Sequence, residues 1–154
     1  YQALLDELVQ GLDIGNDDLV LDVGTGYGYS SAVIAHMAEA VVAVEEDEDL
    51  AREAQEALMT AGADNVALHT GPLAEGAVQH GPYVVIIQGG VARVPQTLLD
   101  QIKDGGRIGC LFMDGALGEV RIGYKIDGRI SWRNVFNAGA PVLPGFEAHN
   151  QFQL

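Results

Sequence analysis

Apolar residues recur along this chain in two rhythms. Leu4, Leu5, Leu8, Val9 and Leu12 fall on one face at helical spacing, so residues 2–12 are predicted to form an amphipathic helix, punctuated by Gly11 and Gly15. Residues 19–23 form a short continuous apolar run, interrupted only by Asp22, and read as a buried strand. A glycine-rich loop follows, and residues 30–37 suit a second helix. Residues 40–44 are the next strand, ending at Glu45. Asp47 or Asp49 can cap a third helix, whose stripe is Leu50, Ala54, Ala57, Leu58 and Ala61 and whose stop is Gly62. Residues 66–69 and 83–87 are further strands. The second is apolar throughout and is therefore placed at the centre of the sheet. Residues 94–102 read as a helix with Pro95 in its first turn, and 107–112 as a fifth strand.

The rhythm then changes. Residues 120–126 and 129–136 flank Asp127-Gly128, a pair that favours a type I′ hairpin. Strands alternating with helices, closed by a hairpin, predict a Rossmann-like, doubly wound α/β fold. Its sheet is mostly parallel and seven-stranded, with a C-terminal antiparallel hairpin.

Composition narrows the partners. The chain has 154 residues, 48% of them apolar, enough for one domain with a core. Eight basic residues face 22 acidic ones, a net charge of −14. Such a surface repels phosphate backbones and anionic bilayers, so neither nucleic acid nor a membrane is the expected partner. No apolar stretch is long enough to span a bilayer. One cysteine, Cys110, sits in an apolar run and reads as a buried structural thiol, which fits a reducing cytoplasm. The four histidines, His36, His69, His80 and His149, share no metal-ligand spacing, so no metal is expected. The chain opens at Tyr1 without Met or a signal pattern, as expected of a fragment of a longer protein.

The candidate chemistry lies in the run Asp22-Val23-Gly24-Thr25-Gly26-Tyr27-Gly28-Tyr29, between a strand and a helix. Alternating glycines let a backbone turn sharply and approach a ligand. The loop stands at the carboxyl end of the first strand, where open α/β sheets bind ligands. Glu45, ending the second strand, can accept from both hydroxyls of a ribose. A dinucleotide fingerprint spaces its glycines G-x-G-x-x-G, and here the third comes one residue early. Asp22 beside the loop would repel a pyrophosphate, whereas the sulfonium and ammonium of S-adenosyl-L-methionine welcome acids. The loop therefore favours S-adenosyl-L-methionine over NAD, with Asp22 orienting the loop and serving the methionyl amine side.

The loop, the residue 41–45 strand, Asn65-Val66, Gly81-Pro82-Tyr83, residues 95–99 and Asp104-Gly105-Gly106-Arg107 resemble class I methyltransferases. In particular they resemble the protein-L-isoaspartate O-methyltransferase family, across nearly the whole chain including the hairpin and the tail 140–145. The resemblance implies methyl transfer from S-adenosyl-L-methionine to the carboxylate of L-isoaspartyl residues in damaged peptides or proteins. It places Gly24, Thr25, Gly26 and Tyr29 at the methionine end, Glu45 on the ribose and Glu46 near the adenine edge. It sets Gly71-Pro72-Leu73 where the family has Gly-Asp-Gly beside the adenine. Pro72 replaces the aspartate that accepts from the adenine amine, though Leu73 retains a backbone N–H. Val84 stands in place of an acid. Gln88-Gly89-Gly90 occupies a segment expected to face substrate and cofactor. The family's segment before the first helix, with its active-site serine, has no counterpart here, so no catalytic residue is carried over. Arg93 and Arg107 are the candidates to offset the repulsion between a carboxylate substrate and this acidic protein.

Two other readings stand beside that one. Ile86-Ile87-Gln88-Gly89-Gly90 also looks like the glycine-rich turn of corrin-ring methyltransferases acting on small molecules. A domain that binds the cofactor without catalysis is the third.

Overall fold

In the computed structural model, which describes residues 2–114, 117–138 and 145–147, the apolar runs become strands where the pattern sets them. The elements are α1 (Gln2–Leu12), β1 (Leu19–Val23), α2 (Tyr29–Ala35), β2 (Ala40–Glu45), α3 (Glu48–Thr60) and β3 (Val66–Thr70). After them come β4 (Val84–Val91), α4 (Gln96–Leu99), β5 (Arg107–Asp114), β6 (Leu117–Ile126) and β7 (Arg129–Ala138). They form one seven-stranded sheet in the order β3-β2-β1-β4-β5-β6-β7. The first five strands in that order run parallel, and β6 and β7 are antiparallel additions. β4 is the middle strand and is buried along nearly its whole length, as its unbroken apolar run requires.

Both faces of the sheet are covered. On one, Leu5, Leu8 and Leu12 of α1 and Ile34 of α2 pack against Val20, Val41, Val84, Ile86 and Leu111. On the other, Leu73, Leu98 of α4 and Phe146 pack against Leu21, Val23, Val85, Ile87 and Cys110. Val84, at the position where the family resemblance expects an acid, belongs to the first of these layers. Asp47 caps α3, accepting from the backbone N–H groups of Asp49 and Leu50 at 2.8 and 3.1 Å. Asp127 and Gly128 both take positive φ, 52° and 78°, as a type I′ turn demands.

Three expectations change. The helix expected over 94–102 is only the four residues of α4. Its continuation is drawn off by Tyr83, which pairs with Ile102 through N–H groups and carbonyls of Gln101, Tyr83 and Lys103 at 2.8 Å. The strand expected over 83–87 runs on to Val91, with a bulge between Ile86 and Gly90 opposite β5. Two short 3₁₀ turns, Leu73–Glu75 and Val78–His80, have no apolar period and were not foreseen. The tail read at 140–144 lies outside the described residues, as does His149. Among the described residues, no helix is long and apolar enough to cross a membrane.

Candidate functional site

β1 lies between β2 and β4. The chain leaves β1 toward β2 and later returns on its far side as β4, so a crevice opens at the carboxyl ends of β1 and β4. The glycine loop fills its floor. Gly24 and Thr25 donate their N–H groups to the Val44 carbonyl at 2.9 and 3.2 Å, folding the loop onto the end of β2. Gly24 has φ +84°, and a Cβ there would stand 3.2 Å from the Gln88 carbonyl oxygen of β4. Only glycine meets both conditions without strain. Gly28 is buried beneath Ala54 and Leu58 of α3, while Tyr27 and Tyr29 are exposed on the loop's outer side.

Glu45 clamps this floor. Its Oε1 accepts from the Gly26 N–H at 2.8 Å and its Oε2 from the Asp47 N–H at 2.9 Å. The side chain is only 7% exposed. Its neighbour Glu46 is exposed and turns to the next loop, accepting from the Leu73 N–H at 3.0 Å. Gly71 donates to the Glu45 carbonyl at 3.1 Å. The segment 71–73 is therefore tied to the end of β2 by backbone and side chain together. Pro72 is exposed, and the Leu73 side chain is buried in the core. The Leu73 N–H expected to be open to an adenine is the one that Glu46 takes.

Asp22 lies beneath the loop rather than in its mouth. It is fully buried. Its Oδ2 accepts from the Ser30 and Ser31 hydroxyls, each at 2.6 Å, and its Oδ1 from the Gln88 amide at 2.9 Å. The Thr25 and Ser31 hydroxyls are 2.9 Å apart. Burial pushes the Asp22 carboxyl above its ordinary range, and the hydroxyl and amide donors work against that rise. Gln88, expected to face substrate and cofactor, is buried with its amide turned to Asp22, just beyond the Val23–Ile87 pairing of β1 and β4. A bulge is the usual device for re-aiming a side chain this way. Sequence reasoning missed Ser30 and Ser31. Two hydroxyls in the first turn of the helix that follows the glycine loop, after a strand with an acid next to its end, were the available signal.

On the other side of the crevice, a pocket of about 270 Å³ is lined by Ala92, Phe112, Met113, Asp114, Glu119 and Arg121. Arg121 lies 4.6 Å from the Phe112 ring centroid and donates to Glu119 at 2.6 and 3.0 Å. Ala92 and Arg93 donate their N–H groups to the Phe146 carbonyl at 2.8 and 3.3 Å. Arg107, the other candidate cation, pairs with Asp18 at 3.1 Å and begins β5, at the opposite end of the sheet. Among the described residues, no group of three His, Cys, Asp or Glu could hold a metal.

Comparison with known proteins bears on this arrangement. A family described as Protein-L-isoaspartate(D-aspartate) O-methyltransferase matches residues 2–111. "Protein-L-isoaspartate O-methyltransferase 2" of Polaromonas sp. is 35% identical over 131 residues, covering 82% of this chain and 61% of that protein. A solved structure titled protein-L-isoaspartate O-methyltransferase superposes with a TM-score of 0.85 at 22% identity, over 94% of this chain and 47% of that one. A Plasmodium falciparum structure described as a protein-L-isoaspartate O-methyltransferase, in complex with S-adenosyl-L-homocysteine, gives 0.70 at 17% identity, over 92% and 70%. At those identities the two structures speak to the fold alone. The chain spans about half the length of the curated relatives it matches. With a match over most of its length and a fold to agree, the chain belongs to the protein-L-isoaspartate(D-aspartate) O-methyltransferase family.

Proposed function

We propose that this chain is a single S-adenosyl-L-methionine-binding domain that methylates the carboxylate of L-isoaspartyl residues in peptides or proteins. The observation that carries the reading is Glu45, an almost buried carboxylate at the end of β2 whose two oxygens each hold one backbone N–H of the crevice floor. A carboxylate has about four acceptor sites, so two remain for the hydroxyls of a ribose. The donor set fits this cofactor better than a dinucleotide. Among the described residues, no Lys or Arg side chain bonds to residues 24–28, and the charged side chains around them are Glu45 and Asp22.

Gly24, Thr25, Gly26, Tyr27, Gly28 and Tyr29 would line the methionine side, with Asp22 acting from below through Ser30, Ser31 and Gln88. Glu46 with Gly71, Pro72 and Leu73 would border the adenine. When bound, S-adenosyl-L-methionine supplies a methyl group on a positively charged sulfur; its transfer to a carboxylate oxygen forms a C–O bond, breaks the C–S bond and leaves the electron pair on sulfur. The acceptor is already anionic, so the protein needs no general base and contributes alignment and exclusion of water. The charge of −14 argues against a nucleic-acid acceptor, and the single buried thiol accords with a cytoplasmic setting.

The test is methyl incorporation from labelled S-adenosyl-L-methionine into an isoaspartyl peptide and its aspartyl twin. The expected result is labelling of the isoaspartyl peptide alone. Equal labelling of the two rejects the repair reading. Tight S-adenosyl-L-homocysteine binding with no transfer leaves a binding domain in its place.

A further inference from the structure

Eight lysines and arginines serve this chain, and the structure accounts for seven of them. Arg52 pairs with Asp49, Arg107 with Asp18 and Arg121 with Glu119. Lys125 donates to the Leu99 and Ile102 carbonyls, and Arg133 lies over the Tyr124 ring and donates to its hydroxyl. Lys103 and Arg129 are exposed, in the turn before β5 and beside the β6–β7 turn. Because Arg107 of β5 stands opposite Tyr124 of β6, that turn lies at the amino end of the parallel strands, away from the crevice.

The eighth is Arg93, two residues past the end of β4, at the carboxyl end where the crevice opens. It is partly buried, and its Nε is buried without a hydrogen-bond partner. Among the described residues no carboxylate pairs with it. The residues outside the description contain no aspartate or glutamate at all. Its backbone is fixed, since its N–H and that of Ala92 share the carbonyl of the fully buried Phe146. Arg107 also has a buried Nε without a partner, but Asp18 neutralises its guanidinium. A half-buried cation on a fixed backbone with an orphaned donor calls for an anion, and among the described residues none supplies it.

We propose that Arg93 binds the carboxylate of the methyl acceptor, an inference that rests on the isoaspartyl reading above. A guanidinium can pair one carboxylate oxygen and leave the other free to react. It also distinguishes substrate from product, because the methyl ester carries no charge and loses the ionic part of the contact. Arg93 thus acts as a local relief from the repulsion that the rest of the surface imposes on an anionic peptide.

The experiment compares wild type with Arg93→Gln and Arg129→Gln, which removes an equal charge at the far end of the sheet. Each is assayed for methylation of an isoaspartyl peptide and titrated with S-adenosyl-L-homocysteine. The expected result for Arg93→Gln is a KM for the peptide raised about 10- to 100-fold, the loss of one charged hydrogen-bond pair. Its kcat and its S-adenosyl-L-homocysteine affinity should stay within about threefold of wild type, and Arg129→Gln should match wild type throughout. Arg93→Met, which keeps the apolar stem, carries the same expectation if the Gln variant fails to fold. An unchanged peptide KM in a folded Arg93 variant overturns the proposal, and so does an equal rise in Arg129→Gln. A wild type that binds S-adenosyl-L-homocysteine but methylates no isoaspartyl peptide overturns the functional reading itself, and the role of Arg93 with it.

Discussion

Replacing Glu45 by alanine separates two jobs that the side chain is placed to do. As a clamp it holds the Gly26 and Asp47 N–H groups at 2.8 and 2.9 Å. Both groups lie near the surface and can turn to water, so their loss should cost about 1–2 kcal/mol, below the roughly 3 kcal/mol that two bonds to a charged acceptor reach at the low end. In a domain of this size that lowers Tm by about 2–8 °C. As a ribose ligand Glu45 would offer its two remaining acceptor sites. Two bonds to a charged group are worth about 3–6 kcal/mol in full, and the open crevice, which lets water compete, argues for about 3. That is roughly a hundredfold in affinity for S-adenosyl-L-homocysteine. Glu45→Gln keeps the shape and one good acceptor, and should lose about tenfold. Calorimetric titration with S-adenosyl-L-homocysteine, alongside a thermal melt, reads both effects. A Glu45→Ala protein that melts early yet binds within twofold of wild type would refute the ribose assignment and leave only the clamp.

Three more outcomes follow from the same geometry. Phe146→Ala empties a fully buried site in the core, so it should cost about 3–5 kcal/mol and lower Tm by about 6–20 °C; a calorimetric scan showing a fall under about 3 °C contradicts the packing of its ring in that core layer. Gly24→Ala forces a side chain into φ +84° and against the Gln88 carbonyl, and should weaken S-adenosyl-L-homocysteine binding at least about tenfold in the same titration. The raised Asp22 carboxyl opposes folding increasingly as pH climbs through its folded-state value and not below its ordinary value. The stability of Asp22→Asn relative to wild type should therefore improve as pH rises from below the ordinary aspartate value of 3.8 toward neutrality in urea melts, and a difference that stays flat or worsens over that whole rise rejects the buried-charge account.

The parts of the fold legible in the sequence were those whose cause is local. Apolar runs bounded by glycine or acidic residues marked β1, β2 and β5, and Asp127-Gly128 specified its own turn. Glu45 could be singled out because the end of an apolar strand is a position that sequence alone defines. The misreadings have distant causes. Nothing near residue 100 reveals that Tyr83 will pull Ile102 out of a helix. Gln88 looked like a residue facing outward because its partner, Asp22, lies 66 positions away. That the Leu73 N–H is taken by Glu46 was hidden for the same reason, since the two meet only once β2 and β3 are side by side. Arg93 was visible as a cation, but its lack of a partner stands out only once five of the other seven have found theirs and Lys103 and Arg129 are seen to be exposed.

The Phe146 carbonyl has a consequence for how the protein comes into being. It receives the N–H of Ala92 from 54 positions earlier in the chain, and its ring joins Leu73, Tyr83 and Leu98 in one core layer. A nascent chain that has emerged only through β5 already holds all five parallel strands and the whole of the family match, 2–111. It still lacks the piece that seats Ala92 and Arg93, and it presents part of that apolar layer to water. Contacts this distant in sequence form late. Synthesis itself therefore sets the order in which the two sides of the crevice mature. The glycine-loop side is complete early, and the side that carries Ala92 and Arg93 waits for the chain to pass the hairpin and return.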